Sequence, residues 1–242
     1  MSETEVKTAW HRHWVMGDSL EDTASPMGKW LRHQRIQLLK EMLKPLNKSM
    51  KAIDMGCGNG STLSVLRSSG FSNSIGIEYI EDGLHHAEKR GFTIGRDIFL
   101  GDAKATSYPD RSFSLVFSEG LWEHFEDPSP FIDEFCRISK EYVLVIQPNH
   151  FSIVGGMMKN LWELLNSEKG GVKEYSYHLE FFTGYLRAKG FILIDQKATI
   201  IKLVLHRIIV RFVKTIMISV PMLHAKKGLP ITSFTITFHK SK

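Results

Sequence analysis

Cysteine is scarce in this chain of 242 residues, and its scarcity excludes several classes of protein. The only two cysteines, Cys57 and Cys136, are too few for a disulfide framework, and they form no CxxC motif or Cys/His cluster of metal-ligand spacing. The first five residues are polar and partly acidic, so a signal peptide is not predicted. We therefore expect a cytoplasmic protein without a metal site.

Acidic residues are absent from the C-terminal fifth of the chain. Between Gln196 and Lys242 there is no Asp or Glu. The same stretch holds nine basic residues: Lys197, Lys202, Arg207, Arg211, Lys214, Lys226, Lys227, Lys240 and Lys242. This uneven charge predicts an anionic partner for that end of the protein, with a solvated basic face as the alternative.

Short apolar runs alternate with helical segments, and no repeat or linker divides the chain. The first fifty residues read as helix up to Pro45, and further helices are predicted at 61–69, 82–90, 130–139 and 181–189. Strands are predicted at 51–55, 74–78, 94–100, 113–118, 142–147, 191–198 and 231–239. This alternation is typical of an α/β fold with a mostly parallel sheet and helices on both faces. The last run differs, because its apolar and polar residues alternate with period two, as in an edge or hairpin strand.

A glycine-rich loop follows the first predicted strand. The strand 51–55 runs into Gly56-x-Gly58-x-Gly60 and then into a helix, whose first N–H groups are free to bind a ligand. A dinucleotide loop would need Gly or Ala at position 61, where Ser61 stands. Asp54, just ahead of the loop, is a poor neighbour for a pyrophosphate and suits a ligand with sulfonium and ammonium groups.

Two further acidic residues follow the next strands. Glu78 ends the second strand, 18 residues after Gly60, where a carboxylate is placed to accept both hydroxyls of a ribose. Asp102 follows the third strand and is placed to accept a hydrogen bond from an adenine amino group, while the Ala103 N–H donates to the ring. Tyr79 and Ile80 are predicted to flank the base.

These motifs together resemble the class I S-adenosylmethionine-dependent methyltransferases, in particular the type 11 group. The resemblance spans about 52–191 and includes Gly76-Ile-Glu-Tyr, Gly101-Asp-Ala, Phe113-Ser-Leu-Val-Phe-Ser and Glu123-His124. It implies a Rossmann-like seven-stranded sheet with the last strand antiparallel, S-adenosyl-L-methionine as cofactor and S-adenosyl-L-homocysteine as product. The cofactor-binding residues expected are Asp54, Gly56, Cys57, Gly58, Gly60, Glu78, Tyr79, Asp102, Ala103, Ser118 and Glu119.

The chain is then interpreted as one methyltransferase domain in four parts. Residues 1–48 form an N-terminal helical cap, 49–198 the cofactor-binding core, 199–230 a basic amphipathic insertion and 231–242 the last strand. In the insertion, 200–217 wound as a helix has one apolar and one basic side. This helix is a candidate contact to an anionic membrane surface, a cap or dimer face, or a helix that packs on the sheet, and the segment is alternatively part strand.

Methyl transfer from a sulfonium is an in-line displacement that needs alignment and, for some acceptors, a base. His124 is the candidate base, and the alternative is a helix-start residue that bonds to backbone. Trp14, His150 and His178 are candidate acceptor contacts, although loop histidines also lie on surfaces. The N-terminal aromatic residues form either a lid over the cofactor or plain packing. No Asn/Asp-Pro-Pro-aromatic tetrapeptide follows the fourth strand, which disfavours DNA-base amino groups as acceptors.

The sequence therefore predicts an enzyme that methylates a small-molecule or lipid-linked acceptor, as a monomer or homodimer. Two alternatives stay open: a non-catalytic S-adenosylmethionine-binding regulatory or assembly protein, and an RNA methyltransferase suggested by the basic end. An NAD-dependent oxidoreductase is disfavoured by Ser61 and Asp54.

Overall fold

A seven-stranded sheet forms the centre of the molecule in the computed structural model, which describes residues 7–12, 14, 26–148, 174–198 and 233–240. The strands are β1 (Ala52–Met55), β2 (Ser74–Glu78), β3 (Ile98–Leu100), β4 (Phe113–Glu119), β5 (Ser139–Pro148), β6 (Phe191–Ala198) and β7 (Ser233–Lys240). Their order is β3-β2-β1-β4-β5-β7-β6, with β7 antiparallel to both neighbours and the other pairs parallel. The predicted fold, including its antiparallel last strand, is confirmed.

Helices cover both faces of the sheet. They are α1 (Pro26–Leu43), α2 (Ser61–Ser68), α3 (Glu81–Lys89), α4 (Ser129–Ile138) and α5 (Leu179–Ala188), with a 3₁₀ turn η1 (Trp122–His124) after β4. One buried cluster joins α1, α2 and α3 to side chains such as Leu115 and Phe117 on one face of β4. The other joins α4 and α5 to the opposite face, where Ile53 and Val116 lie.

Because successive side chains of a strand point to opposite faces, this packing decides where the polar strand ends point. Asp54 lies between Ile53 and Met55 in β1 and therefore points to the α1–α3 face, as does Glu119 at the end of β4. The carboxyl ends of the five parallel strands meet at one edge of the sheet, where open α/β sheets bind ligands. This edge carries the site described below.

Two strands differ from their predicted bounds by three residues or more at one end. β3 contains only 98–100 of the predicted run 94–100, because Asp97 folds the preceding residues into a turn: its carboxylate accepts the Thr93 N–H at 2.8 Å. The Gly95 N–H donates to the Ile98 carbonyl at 2.8 Å within the same turn. β5 is longer than predicted and begins at Ser139, directly after α4.

The predictions for His150 and for the insertion at 199–230 lie outside the described residues. Within the described part of the chain, none of the helices combines the length and apolar character needed to cross a bilayer.

Candidate functional site

The loop after β1 is held against β2 by its own backbone. The N–H groups of Gly56 and Cys57 both donate to the Ile77 carbonyl, at 2.9 and 3.0 Å. Gly56, Gly58 and Gly60 have φ angles of 75°, 51° and 74°, in the left-handed region that side chains with a Cβ rarely adopt. A Cβ at Gly58 would in addition lie 2.8 Å from the ring of Trp14. The glycines at this loop are therefore required both by conformation and by space.

The thiol of Cys57 faces the sheet. A Cβ at Gly76 in β2 would lie 2.6 Å from the Cys57 sulfur, so the glycine makes room for the side chain. Burial raises the pKa of the thiol well above its usual value, and the charges of Asp54 and Glu78 add to this effect. Cys57 is consequently a neutral packing residue whose side chain points away from the loop's outer surface.

Four carboxyl groups line the carboxyl ends of β2, β1 and β4 and the turn that follows β4: Glu78, Asp54, Glu119 and Glu123. We call them the carboxylate row. Asp54 is 1% exposed, and its Oδ2 atom has no hydrogen-bond partner among the described residues. Burial raises its pKa well above the usual value, and the nearby charges of Glu119 and Glu78 raise it further.

Glu78 is the row's most fully hydrogen-bonded member. Its Oε2 accepts the Gly58 N–H, and its Oε1 accepts the N–H groups of Tyr79 and Ile80, each at 2.9 Å. Burial raises the pKa of Glu78, although these three donors oppose the effect. The carboxylate thus links the glycine loop to the end of β2.

Glu119 connects the row to α1 and α2. Its Oε2 accepts a hydrogen bond from the Thr62 hydroxyl at 2.8 Å, and its Oε1 lies 3.4 Å from a guanidinium nitrogen of Arg35. Neither Arg35 nor Thr62 belongs to a motif recognisable in the sequence. Their roles follow from the helices that carry them to the end of β4.

Glu123 lies in η1 and is 4% exposed. Its Oε2 has no hydrogen-bond partner in the described part of the chain, and its Oε1 lies 4.0 Å from Nε2 of His124. Burial raises the pKa of Glu123 to about 8; the charges of Glu174 and Glu119 contribute, whereas Arg35 opposes them. The candidate base His124 therefore sits beside a carboxyl group that is itself set up to exchange protons near neutral pH.

The turn after β3 is fixed by three contacts. Oδ1 of Asp102 accepts the Lys104 N–H at 2.8 Å, while its Oδ2 lies 3.5 Å from the Lys104 ammonium. The Gly101 N–H donates to the Glu78 carbonyl at 2.9 Å, which brings this turn next to the row. Asp102 and the buried Ala103 thus lie beside Glu78, as the predicted adenine site requires.

The Ser118 side chain makes a contact within the sheet. It is fully buried, and its hydroxyl donates to the Met55 carbonyl at 2.9 Å. Its side chain ties the ends of β4 and β1 together. Tyr79 is partly exposed, and the ammonium of Lys7 lies 4.5 Å from the centre of its ring.

Aromatic side chains of the N-terminal helical residues cross the carboxylate row. Trp10 meets His124 edge-on at 4.9 Å between ring centres and stacks on Trp14 at 6.4 Å. Trp14 rests on Gly58 and lies 5.7 Å from the His86 ring on α3. We call these four residues the aromatic strip. It joins η1 to α3, and the ion pair between His11 and Asp82 at 2.5 Å holds its α3 end.

His178 is exposed and immediately precedes α5. The segment around it packs on η1, because the Tyr175 N–H donates to the Glu123 carbonyl at 2.5 Å and the Tyr177 hydroxyl donates to the Phe125 carbonyl. The structure therefore brings the His178 segment to the same side as the row. Across the described ranges, no group of three or more His, Cys, Asp or Glu residues is arranged to hold a metal ion.

Comparison with known proteins identifies the domain to which this site belongs. Residues 53–146 match the family model described as a methyltransferase domain. Ajmaline N-methyltransferase of Rauvolfia serpentina is 32% identical over 112 residues, which are 44% of this chain and 38% of the relative. A ubiquinone biosynthesis O-methyltransferase of Methylococcus capsulatus is 31% identical over 94 residues, 37% of this chain and 39% of the relative. The chain thus spans about two fifths of the length of the curated relatives it matches.

Among solved structures, magnesium protoporphyrin IX methyltransferase from Synechocystis with bound S-adenosylhomocysteine superposes with a TM-score of 0.66. The match covers 99% of this chain and 100% of that one at 14% identity, so it concerns the fold. Strand order, the glycine loop and the family match agree. Residues 53–146 thus match the methyltransferase domain family, and the fold agrees with that of an S-adenosylmethionine-dependent methyltransferase.

Proposed function

We propose that this protein transfers the methyl group of S-adenosylmethionine to a small-molecule acceptor by in-line displacement. The observation that carries the proposal is Asp54, a buried carboxyl with an unbonded oxygen directly ahead of the glycine loop. A buried charge normally has a partner, since an isolated one is costly. A cationic ligand at the loop would supply it.

The residues present fit S-adenosylmethionine. Asp54 and Glu119 are acids suited to its ammonium group, Glu78 to the ribose hydroxyls, and the Asp102 turn to the adenine. In this structure Oε1 of Glu78 accepts two N–H groups and Oε2 accepts one, so Oε2 has a further lone pair for a hydroxyl donor. When bound, the cofactor supplies a methyl group already activated by its positive sulfur.

The protein's own contribution is then alignment and exclusion of water. The aromatic strip lies across the row from η1 to α3, so that Trp10 and Trp14 shield the carboxyl groups beneath them. An acceptor approaching from the η1 side would meet Trp10 and His124, next to the buried Glu123. Holding acceptor and methyl donor in a dry, fixed geometry is a large part of the rate enhancement available to such a reaction.

The relatives support a small-molecule acceptor without selecting the atom that is methylated, since one is named as an N-methyltransferase and the other as an O-methyltransferase.

Ligand-induced thermal stabilisation tests the proposal. A ligand that binds only the native state raises the melting temperature. At a hundred times its Kd, it adds about 2.7 kcal/mol to the free energy of unfolding. We expect a clear rise with S-adenosylhomocysteine and none with NAD. Stabilisation by NAD alone would contradict the proposal. A labelled methyl group from S-adenosylmethionine, followed into small-molecule extracts, would then establish turnover.

A further inference from the structure

We propose that Glu123 is a catalytic residue that takes a proton from a cationic amine acceptor, and that His124 and Trp10 position this amine. The proposal rests on the methyltransfer function above and adds to it the acceptor's chemical class and the group that activates it. It also moves the role of base from His124 to its neighbour.

The environment of Glu123 favours contact with a bound acceptor. Its carboxyl is 4% exposed, its Oε2 has no partner among the described residues, and it lies at the end of β4 where the acceptor is expected. Buried polar atoms without partners are few in native proteins, and each calls for an explanation. A bound acceptor that donates a hydrogen bond to Oε2 provides one.

The charges around the Glu123 carboxyl favour a positively charged acceptor. The charged groups that act on it are Glu119 from β4, Glu174 from the segment before α5, and Arg35 from α1. His124, on the same turn, is 4.0 Å away. Two carboxylates thus face a single guanidinium, which already lies 3.4 Å from Glu119. A bound ammonium group would be attracted by these carboxylates, whereas an alcohol would gain no such attraction.

The aromatic strip beside Glu123 also favours a cationic acceptor. Trp10 meets His124 edge-on at 4.9 Å, so an indole ring lies on the outer side of the Glu123–His124 turn. Aromatic faces attract organic cations, by about 0.5–2 kcal/mol. Buried carboxylates combined with indole rings are the chemistry that recognises an amine. Gly120, with φ 69°, approaches this carboxyl closely, since a Cβ there would lie 3.4 Å from Oε1 of Glu123.

Proton transfer to Glu123 makes the acceptor amine nucleophilic. Oε2 of ionised Glu123 accepts one proton from R–NH₃⁺, which leaves a neutral amine with a free lone pair. That lone pair forms the new N–C bond to the methyl carbon while the C–S bond breaks, and its electron pair stays on sulfur. The products are the methylated ammonium and S-adenosylhomocysteine, and Glu123 returns its proton to water. The raised pKa of Glu123 makes it a stronger base than an ordinary carboxylate.

Calorimetry on protein saturated with S-adenosylhomocysteine tests the proposal with two probes of nearly equal shape, phenethylamine and 2-phenylethanol. We expect the amine to bind at least tenfold more tightly. Its affinity should rise by about tenfold from pH 7 to pH 9 as a group with a pKa of about 8 ionises, since an aliphatic ammonium keeps its proton over most of that range. Glu123→Gln should remove this pH dependence, and Glu126→Gln, at an exposed neighbour, should retain it.

Equal binding of the two probes, or an unchanged pH dependence in Glu123→Gln, would overturn the inference. Carboxyl carbon NMR gives a further test through the pKa of Glu123. If this pKa changes on binding of S-adenosylmethionine but not on binding of the amine, the sulfonium is the cation near this carboxyl, and the inference is overturned. Failure of S-adenosylhomocysteine itself to bind would instead refute the proposed function. Binding of this ligand to Glu123→Gln with normal affinity shows that the variant is folded.

Discussion

Asp54 and Glu123 are almost fully buried carboxyl groups, each with one oxygen that has no hydrogen-bond partner among the described residues. Burial without pairing favours the neutral form of a carboxyl, which is why the pKa of each is raised. In the absence of ligand, both groups therefore work against the folded state once they ionise. Such groups are commonly found where a protein binds or transforms a charged ligand.

For Glu123 the consequence is a pH-dependent loss of stability. Its pKa is about 8 in the folded protein and near 4.3 when unfolded, so its contribution is fully present below about pH 4 and is lost as the pH rises through 8. The full loss is on the order of 5 kcal/mol. We expect Glu123→Gln to melt above the unsubstituted protein at pH 8.5 and to show much less difference at pH 5. A constant difference across this range, or an equal effect of Glu126→Gln, would contradict the prediction.

Gly58 gives a second prediction at this scale. Alanine at this position meets the strain of positive φ, about 1–2 kcal/mol, and also the Trp14 ring at 2.8 Å. Gly91 is a matched control, because its φ is +92° and nothing lies within 4 Å of an added Cβ. We expect Gly58→Ala to weaken S-adenosylhomocysteine binding more than tenfold by calorimetry and Gly91→Ala to leave it unchanged. Equal effects would mean that strain alone matters.

At the scale of elements, one buried ion-pair network fixes the turn that carries Asp102. Glu134 on α4 is 6% exposed, and its Oε1 accepts the Thr106 N–H at 2.7 Å and hydroxyl at 2.5 Å. Arg137, one turn later, donates to both of its oxygens at 2.8 Å and to the Thr106 carbonyl at 3.2 Å. Burial raises the pKa of Glu134, but these donors outweigh it and hold the value below the usual one. Helix α4 thereby positions the turn after β3.

The same network predicts a stability change. Glu134→Gln breaks a buried pair, and because the Arg137 side chain is about one third exposed, we expect a loss of about 2 kcal/mol. The neighbouring pair of Asp133 and Lys189 is half exposed, so Asp133→Asn should cost less than about 1 kcal/mol. Denaturant unfolding of both variants gives the comparison. Equal losses in the free energy of unfolding would show that the Glu134–Arg137 pair contributes no more than an exposed ion pair.

Periodicity and turn chemistry predicted the elements well where local signals decide them. The bounds of β2 and β6 agree with prediction at both ends, and helices α2 to α5 agree within two residues. β3 was predicted too long, because the side chain of Asp97 competes with the strand for the Thr93 N–H. β5 was predicted too short, because its first three residues, 139–141, are all polar and give no apolar strand signal, while Ser139 pairs with Phe113 of β4.

The site residues that lie at the ends of strands were predictable from the sequence. Asp54, Glu78 and Asp102 come directly after apolar runs, and parallel topology brings them to one edge. Arg35, Thr62 and Trp10 were not assigned contacts to Glu119 or His124, because helix packing and not sequence spacing brings them there. The burial of Glu123 was likewise unpredictable, since it depends on the segment at 174–178 that covers η1.

At the scale of the whole molecule, the fold concentrates negative charge at one edge of a chain whose net charge is +5. Members of the carboxylate row raise one another's pKa: Glu78 and Glu119 act on Asp54, and Glu119 acts on Glu123. Stability and ligand binding are therefore linked through protons. Every cation that binds there offsets a repulsion that the folded protein otherwise carries.

This linkage predicts that the ligand stabilises the protein more as the pH rises. The folded-state pKa of Asp54 is raised, so raising the pH ionises it and provides a partner for the ammonium group of S-adenosylhomocysteine, while the unliganded protein loses stability. We expect the rise in melting temperature with this ligand to be larger at pH 7.5 than at pH 5.5. The increase should be larger still with S-adenosylmethionine, which carries a second positive charge. Asp54→Asn should flatten the dependence on pH for both ligands, and a ligand effect that is equal at the two pH values in the unsubstituted protein would show that Asp54 does not contact a cation.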